Sequence, residues 1–221
     1  MKSLTRPRVK ICCISSLEEA RLAIDFGASA LGLVSEMPSG PGVIPEELIV
    51  RIARVIPPAV SSFLLTSKQD VPSIIAQHRR CRTNTIQICD RLETGTYDEI
   101  REALPGIALV QVIHVCDEDS IEEAALVAPH VDAILLDSGN QSLAVKELGG
   151  TGRAHDWGIS REIRRAIDKP LFLAGGLRPD NVREAIRTVE PFGIDICSGV
   201  RTLGKLDPQK LAALINEVTS A

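Results

Sequence analysis

The sequence predicts a closed barrel of eight parallel strands, each followed by a helix, and three observations carry that prediction. Short apolar or β-branched runs alternate with stretches of helical periodicity along the whole chain. The alternation repeats eight times, and strictly alternating strands and helices form a parallel sheet. Eight such units in 221 residues suit a (β/α)8 barrel. An open doubly wound sheet is the structural alternative. No linker or compositional break divides the chain, so residues 1–221 read as a single barrel domain.

The strand candidates, in order, are Val9–Ile14, Ala30–Ser35, Ser61–Leu65, Thr85–Cys89, Leu109–Val115, Ala133–Ser138, Leu171–Gly176 and Gly193–Gly199. The helical stretches between them are Ser16–Phe26, Glu46–Val55, Asp70–Arg79, Tyr97–Leu104, Ser120–Val127, Ser160–Ile167, Pro179–Val189 and Pro208–Val218. The first helix opens on Ser16 with Glu19 three residues later, the signature of a capping box.

Side-chain alternation then sorts the strand ends. Lys10 and Cys12 share a face of the first strand, Gln87 and Cys89 of the fourth, and Asp195 and Cys197 of the eighth. If the sheet closes, the first and eighth strands are neighbours. Lys10 and Asp195 can then pair inside the barrel, which a buried lysine requires. Parity leaves open whether Gln111 and Ile113 or Val112 and His114 face inward on the fifth strand.

Composition excludes several functions. Twenty-five basic residues against 29 acidic give a net charge of −4, so no basic surface for nucleic acid is expected. Aromatic residues are only 3%, too few for a base-stacking platform. No apolar run reaches the ~18 residues that span a bilayer. MKSLTRPRVK is not followed by an apolar signal core, so a cytoplasmic protein is expected, without a membrane partner. The six cysteines contain no CxxC pair, and they read as free thiols in a reducing compartment.

In such barrels catalytic groups sit at strand C-terminal ends, and phosphate often binds after strands seven and eight. Three glycine-bearing stretches occur late in the chain: Gly149-Gly150-Thr151-Gly152, Gly175-Gly176-Leu177 and Ser198-Gly199. Glycine lets several backbone N–H groups approach an oxyanion closely. Gly150, Gly152, Gly175, Gly176, Ser198 and Gly199 are therefore the candidate phosphate-binding residues. Cys12 and Asp137, at the ends of strands one and six, are the candidates for proton transfer. Each has a structural alternative: an inert buried thiol for Cys12, a cap for Asp137. His78 and His130 read as solvated, and His155 lies in the long loop after strand six. No close-spaced ligand pair points to a metal.

These residues also carry a family resemblance. Val9-Lys10-Ile11-Cys12, Phe26-Gly27-Ala28 through Gly32, Leu136-Asp137-Ser138, the Gly149–Gly152 stretch followed by Asp156-Trp157, Leu173–Leu177 with Pro179 and Asn181-Val182, and Asp195 with Ser198–Val200 occur in an order that resembles the phosphoribosylanthranilate isomerases. Gly204-Lys205 and Asp207 match that family's closing turn. The resemblance implies an Amadori rearrangement in tryptophan biosynthesis, in which an aminoaldose phosphate becomes an aminoketose phosphate. It assigns the base to Cys12 and the acid to Asp137. It implies no metal or organic cofactor and a phosphorylated small-molecule substrate. Apolar surface on the outer helices is compatible with a monomer or a homodimer.

The chain departs from the family pattern at four places. Cys13 stands where the family has glycine, and Cys89-Asp90 where it has histidine and glycine. Arg201 stands where the family has glutamate. Pro41 replaces the arginine that holds the anthranilate carboxylate in the family. Arg153 or Arg201 is expected to supply that missing cation as a substrate-binding residue. A relative acting on another aminoaldose or sugar phosphate, or a non-catalytic phosphate-ligand binder, is the alternative reading.

Overall fold

A computed structural model describes residues 6–150 and 152–220. Eight parallel strands close into a barrel in chain order. They are β1 (Arg8–Ile11), β2 (Ala30–Val34), β3 (Ser61–Thr66), β4 (Thr85–Ile88), β5 (Ala108–His114), β6 (Ala133–Asp137), β7 (Leu171–Leu173) and β8 (Gly193–Ile196). The helices that return the chain are α1 (Leu17–Asp25), α2 (Glu46–Ala53), α3 (Val71–Cys81), α4 (Tyr97–Ala103), α5 (Asp119–Val127), α6 (Trp157–Ala166), α7 (Val182–Val189) and α8 (Pro208–Thr219). A short antiparallel hairpin, β9 (Arg201–Thr202) and β10 (Lys205–Leu206), precedes α8 and is not evident from the sequence pattern.

Helix starts follow local chemistry. Asp70 accepts the Ser73 amide at the head of α3, and Thr96 with Glu99 forms a complete capping box on α4. On α1, Ser16 caps the Glu19 amide as expected, but the Glu19 carboxylate reaches the Ser15 amide and hydroxyl, not Ser16. Helix α6 starts at Trp157 instead of Ser160, because Asp156 caps it by accepting the Gly158 amide.

Two apolar layers make the core. Between strands and helices lie Ile11, Leu31, Leu33, Leu64, Ile86, Ile134 and their helix partners. Inside the barrel lie Ala30, Val34, Phe63, Leu65, Val110, Val112, Leu135 and Phe172. Val110 and Val112 thus settle the parity of β5. Gln111 points outward, where its amide donates to the Ile88 and Asp90 carbonyls. The Phe172 ring meets Phe63 and Phe192 edge-to-face, at 6.0 and 5.5 Å between centroids.

The seam that closes the barrel pairs Lys10 of β1 directly opposite Asp195 of β8. Lys10 is wholly buried, and its Nζ lies 2.8 Å from Asp195 Oδ2 and 5.2 Å above the Phe63 ring. Burial alone would lower the lysine pKa, but Asp195 and the Cys12 sulfur hold it above its ordinary value. The charge therefore stays in the interior.

The expectation of uniformly free thiols is corrected at the same seam. Cys13 and Cys197 form a disulfide across the β1 and β8 ends, with Cα atoms 5.9 Å apart. They are 184 residues apart in sequence, so no short motif marks them. Cys12, Cys81, Cys89 and Cys116 remain free thiols.

Two outcomes are expected. Lys10→Ala leaves Asp195 buried without its partner and should cost about 3–5 kcal/mol in chemical denaturation. Thiol titration of denatured, unreduced protein should count the four free cysteines, and all six after reduction. Reduction should also lower the thermal midpoint, since closing so long a loop is worth up to about 5 kcal/mol in the chain-entropy account.

Candidate active site

The strand C-terminal ends open into one cavity of about 670 Å³. Its floor holds Cys12, Gln87, Asp137 and Asp195. Apolar side chains Val34, Met37, Leu65 and Leu148 line one side, and the turns after β7 and β8 line the other. The fold thus gathers the two proton-transfer candidates and Gly150, Gly152, Gly175, Gly176 and Ser198 around one space. Thr151 lies outside the described residues.

Backbone geometry at the turns requires glycine. Gly175 and Gly176 have φ of 80° and 62°, a left-handed region costly for other residues. A Cβ on Gly176 would also come within 2.6 Å of the Arg153–Ala154 peptide. Gly199 does not line the cavity; a Cβ there would run into the Leu177 carbonyl, so its role is to let the β8 turn pack on the β7 turn.

The two central groups lie in environments that oppose ionisation. Burial pushes the Cys12 thiol up to about 11, against the pull of the Lys10 charge. The shared space at Gly32 shows how close these two are: a Cβ there would lie 2.7 Å from Cys12 Sγ and 3.1 Å from Lys10 Nζ. Burial likewise raises Asp137, although its Oδ1 accepts the Ser138 amide at 2.7 Å and the His114 and Lys10 charges pull it down. The balance at the end of β6 is thus shifted toward the protonated carboxyl group. Gly149 lies over it so closely that a Cβ would meet Asp137 Oδ2 at 2.5 Å.

The histidines take supporting places. His114 has the inward parity of Val112 and stands opposite Asp137 in the β5–β6 register, with Nε2 2.9 Å from the Cys89 carbonyl. Burial lowers His155 to about 4, so it is neutral near pH 7; its Nε2 lies 2.7 Å from Ser160 Oγ. His78 is buried against the Thr83 carbonyl at 2.7 Å, which corrects its reading as solvated. Sequence analysis missed it because a helical position alone does not give its face.

The arginines depart from expectation. Arg201 is absent from the cavity lining. Its guanidinium pairs with Glu19 at 2.9 Å and donates to the Cys12 and Cys13 carbonyls at 3.1 and 2.6 Å. Burial would raise Glu19, but Arg201 and the Leu206 and Ser15 amides hold it below the usual carboxylate range. Arg201 therefore braces the turn that carries Cys12 from behind. Arg153 is exposed and pairs with Glu147. Among the described residues that line the cavity there is no lysine, arginine or histidine. Among the described residues no group of histidine, cysteine or carboxylate side chains is placed to hold a metal, and no helix is long and apolar enough to cross a membrane.

Arg201→Ala should consequently lower kcat by about ten- to a hundredfold by displacing the Cys12 turn, with little change in KM. Steady-state kinetics separates the two, and a raised KM with unchanged kcat would mark Arg201 as a substrate contact instead.

Comparison with known proteins agrees with this fold. The sequence profile of the family described as N-(5'phosphoribosyl)anthranilate (PRA) isomerase matches residues 9–217. A Methanosarcina mazei protein named N-(5'-phosphoribosyl)anthranilate isomerase 1 is 34% identical over 238 aligned positions, covering 100% of this chain and 98% of that one. The Thermotoga maritima phosphoribosyl anthranilate isomerase superposes with a TM-score of 0.80 at 29% identity, covering 97% of this chain and 100% of that one. A phosphoribosyl anthranilate isomerase solved in complex with reduced 1-(o-carboxyphenylamino)-1-deoxyribulose 5-phosphate superposes with a TM-score of 0.77 at 28% identity, with the same coverage.

Proposed function

Because the chain belongs to the N-(5'-phosphoribosyl)anthranilate isomerase family, we propose that Asp137 and Cys12 carry its Amadori rearrangement as general acid and general base. The reaction is an internal isomerisation of N-(5'-phosphoribosyl)anthranilate, so nothing is gained or lost overall. Asp137 gives its proton to the furanose ring oxygen while the anthranilate nitrogen pushes its lone pair toward C1. The ring opens to an iminium ion. The Cys12 thiolate then removes the proton from C2, and the electrons flow to the nitrogen to give an enolamine. Protonation at C1 and loss of the C2 hydroxyl proton leave the ketone. The substrate's own nitrogen is the electron sink.

One observation supports this division of labour above the others: a half-buried carboxyl group with a raised pKa and a thiol beside a lysine share one cavity with glycine turns. Gly175, Gly176 and Ser198 suit the phosphate, with Gly150 and Gly152 closing over it. The phosphate end then lies at β7 and β8, and the aromatic ring lies against Val34, Met37, Leu65 and Leu148.

The reactive form has Cys12 ionised and Asp137 protonated. Burial raises both groups, which favours the proton on Asp137 and keeps thiolate scarce below about 11. The reactive fraction therefore rises with pH while both groups hold their protons and falls once both have lost them.

The test is loss of substrate fluorescence on mixing with freshly made phosphoribosylanthranilate. Cys12→Ser and Asp137→Asn should each lower kcat by about 10²–10⁴-fold with modest change in KM. Wild-type turnover unaffected by either change would reject both roles. The pH profile of kcat/KM should be a broad bell whose alkaline limb lies near 11. An alkaline limb near neutrality would contradict a Cys12 thiol pushed up by burial.

A further inference from the structure

The substrate's ring carries a carboxylate, yet among the described residues the cavity lining contains no cation to receive it. We propose that Lys146, assisted by Lys68, receives that carboxylate in a second pocket at the barrel rim. The proposal rests on the reaction assigned above and names what selects its aromatic acid.

The rim pocket has a volume of about 660 Å³ and lies over β3 and β4. It shares Met37 and Leu148 with the central cavity, so these two side chains stand between the two spaces. A ligand whose phosphate occupies the β7 and β8 turns and whose reacting carbons lie above the barrel axis extends toward β2, β3 and β4. Its ring lies along Met37 and Leu148, and a ring substituent reaches the rim.

The rim supplies suitable chemistry. Lys146 Nζ lies 2.7 Å from Asp90 Oδ2 and 3.3 Å from Gln69 Oε1. Asp90 is buried, and its side chain is only 4% exposed, whereas Lys146 is 34% exposed. An ammonium has three donors, and these two acceptors use two of them. The third is directed by a side chain already held in place, so binding a carboxylate requires little further ordering. Lys68 lies in the same pocket, 38% exposed and 3.5 Å from the open Glu36 carboxylate. The backbone of Lys146 is anchored too: its carbonyl accepts Ser39 Oγ at 2.7 Å, which ties it to the loop bearing Pro41. The cation absent at Pro41 is thus supplied from the facing loop, with Asp90 as its buried counter-charge.

The test uses two stable ligands, the reduced product analogue and its counterpart lacking the ring carboxylate, with dissociation constants measured by calorimetry. Wild type should prefer the carboxylated ligand by about tenfold or more, the effect of one charged hydrogen bond. Lys146→Met should abolish most of that preference while leaving affinity for the carboxylate-free ligand unchanged. Lys146→Arg should restore it, and Lys68→Met should reduce it less. Because Lys146→Met leaves Asp90 unpaired, Asp90→Asn/Lys146→Met serves as a neutral second variant and should lose the preference equally. A wild-type preference retained in the folded double variant would overturn the role of Lys146. Failure of wild type to bind either ligand or to turn over phosphoribosylanthranilate would instead overturn the functional reading, and this proposal with it.

Discussion

The Lys10–Asp195 pair is the constraint on which the rest of the structure depends. Two charges inside a barrel are tolerable only as partners, because each alone carries a desolvation cost of several kcal/mol. They become partners only where β1 lies beside β8 in a register that places Lys10 opposite Asp195. A slip of one residue would put the two side chains on opposite faces of the sheet. The pair therefore selects one closure of the sheet. The same register places Cys12 one layer above Lys10 and Cys197 one layer above Asp195, so the floor of the cavity is an extension of the seam.

The seam also determines the chemistry above it. Burial raises both Cys12 and Asp137, which suits an acid and opposes a base. The asymmetry comes from placement. Lys10 lies beside the sulfur, near enough that both crowd the Gly32 position. Its charge offsets part of the desolvation penalty on the thiolate. A lysine held for closure thus also moderates the energy of the reactive anion. Arg201 supports the same turn from the other side, through the Cys12 and Cys13 carbonyls. The turn is held by side chains from the far end of the chain at both faces.

What was legible in the sequence was whatever depends on period and order. Strand alternation placed Lys10 against Asp195 and brought Cys12 and Asp137 to the same end of the barrel. The order of the glycine stretches placed them after β7 and β8. What was illegible depends on how loops and seams meet in space. Cys13 reaches Cys197 across 184 residues from a left-handed position, φ 61°, that sequence alone assigns to glycine. Arg201 looked available because it follows the eighth strand, but Glu19, 182 positions away, holds it. His114 was undecided because β5 is apolar on both faces, as strands of a covered parallel sheet are.

The loops after β2 and β6 show why specificity and catalysis separate in this chain. Ser39 bonds the Lys146 carbonyl, Gly40 faces the Gly149 carbonyl, and the Pro41 ring fills the space over Gly150, where a Cβ would meet it at 2.5 Å. The two loops are interlocked along this line. A long side chain at position 41 would have to displace the strand of glycines that covers Asp137. Proline, with its short ring, allows that cover to close, and the Gly149 backbone can then lie against the Asp137 carboxyl and shield it in part. Excluding water there favours the protonated acid that ring opening needs. The same packing removes a cation from the β2 side, so recognition of a ring carboxylate falls to a residue on the loop that does the covering. Strand ends hold the reacting groups rigidly, while the loop that shields the acid also carries the charge that selects the substrate.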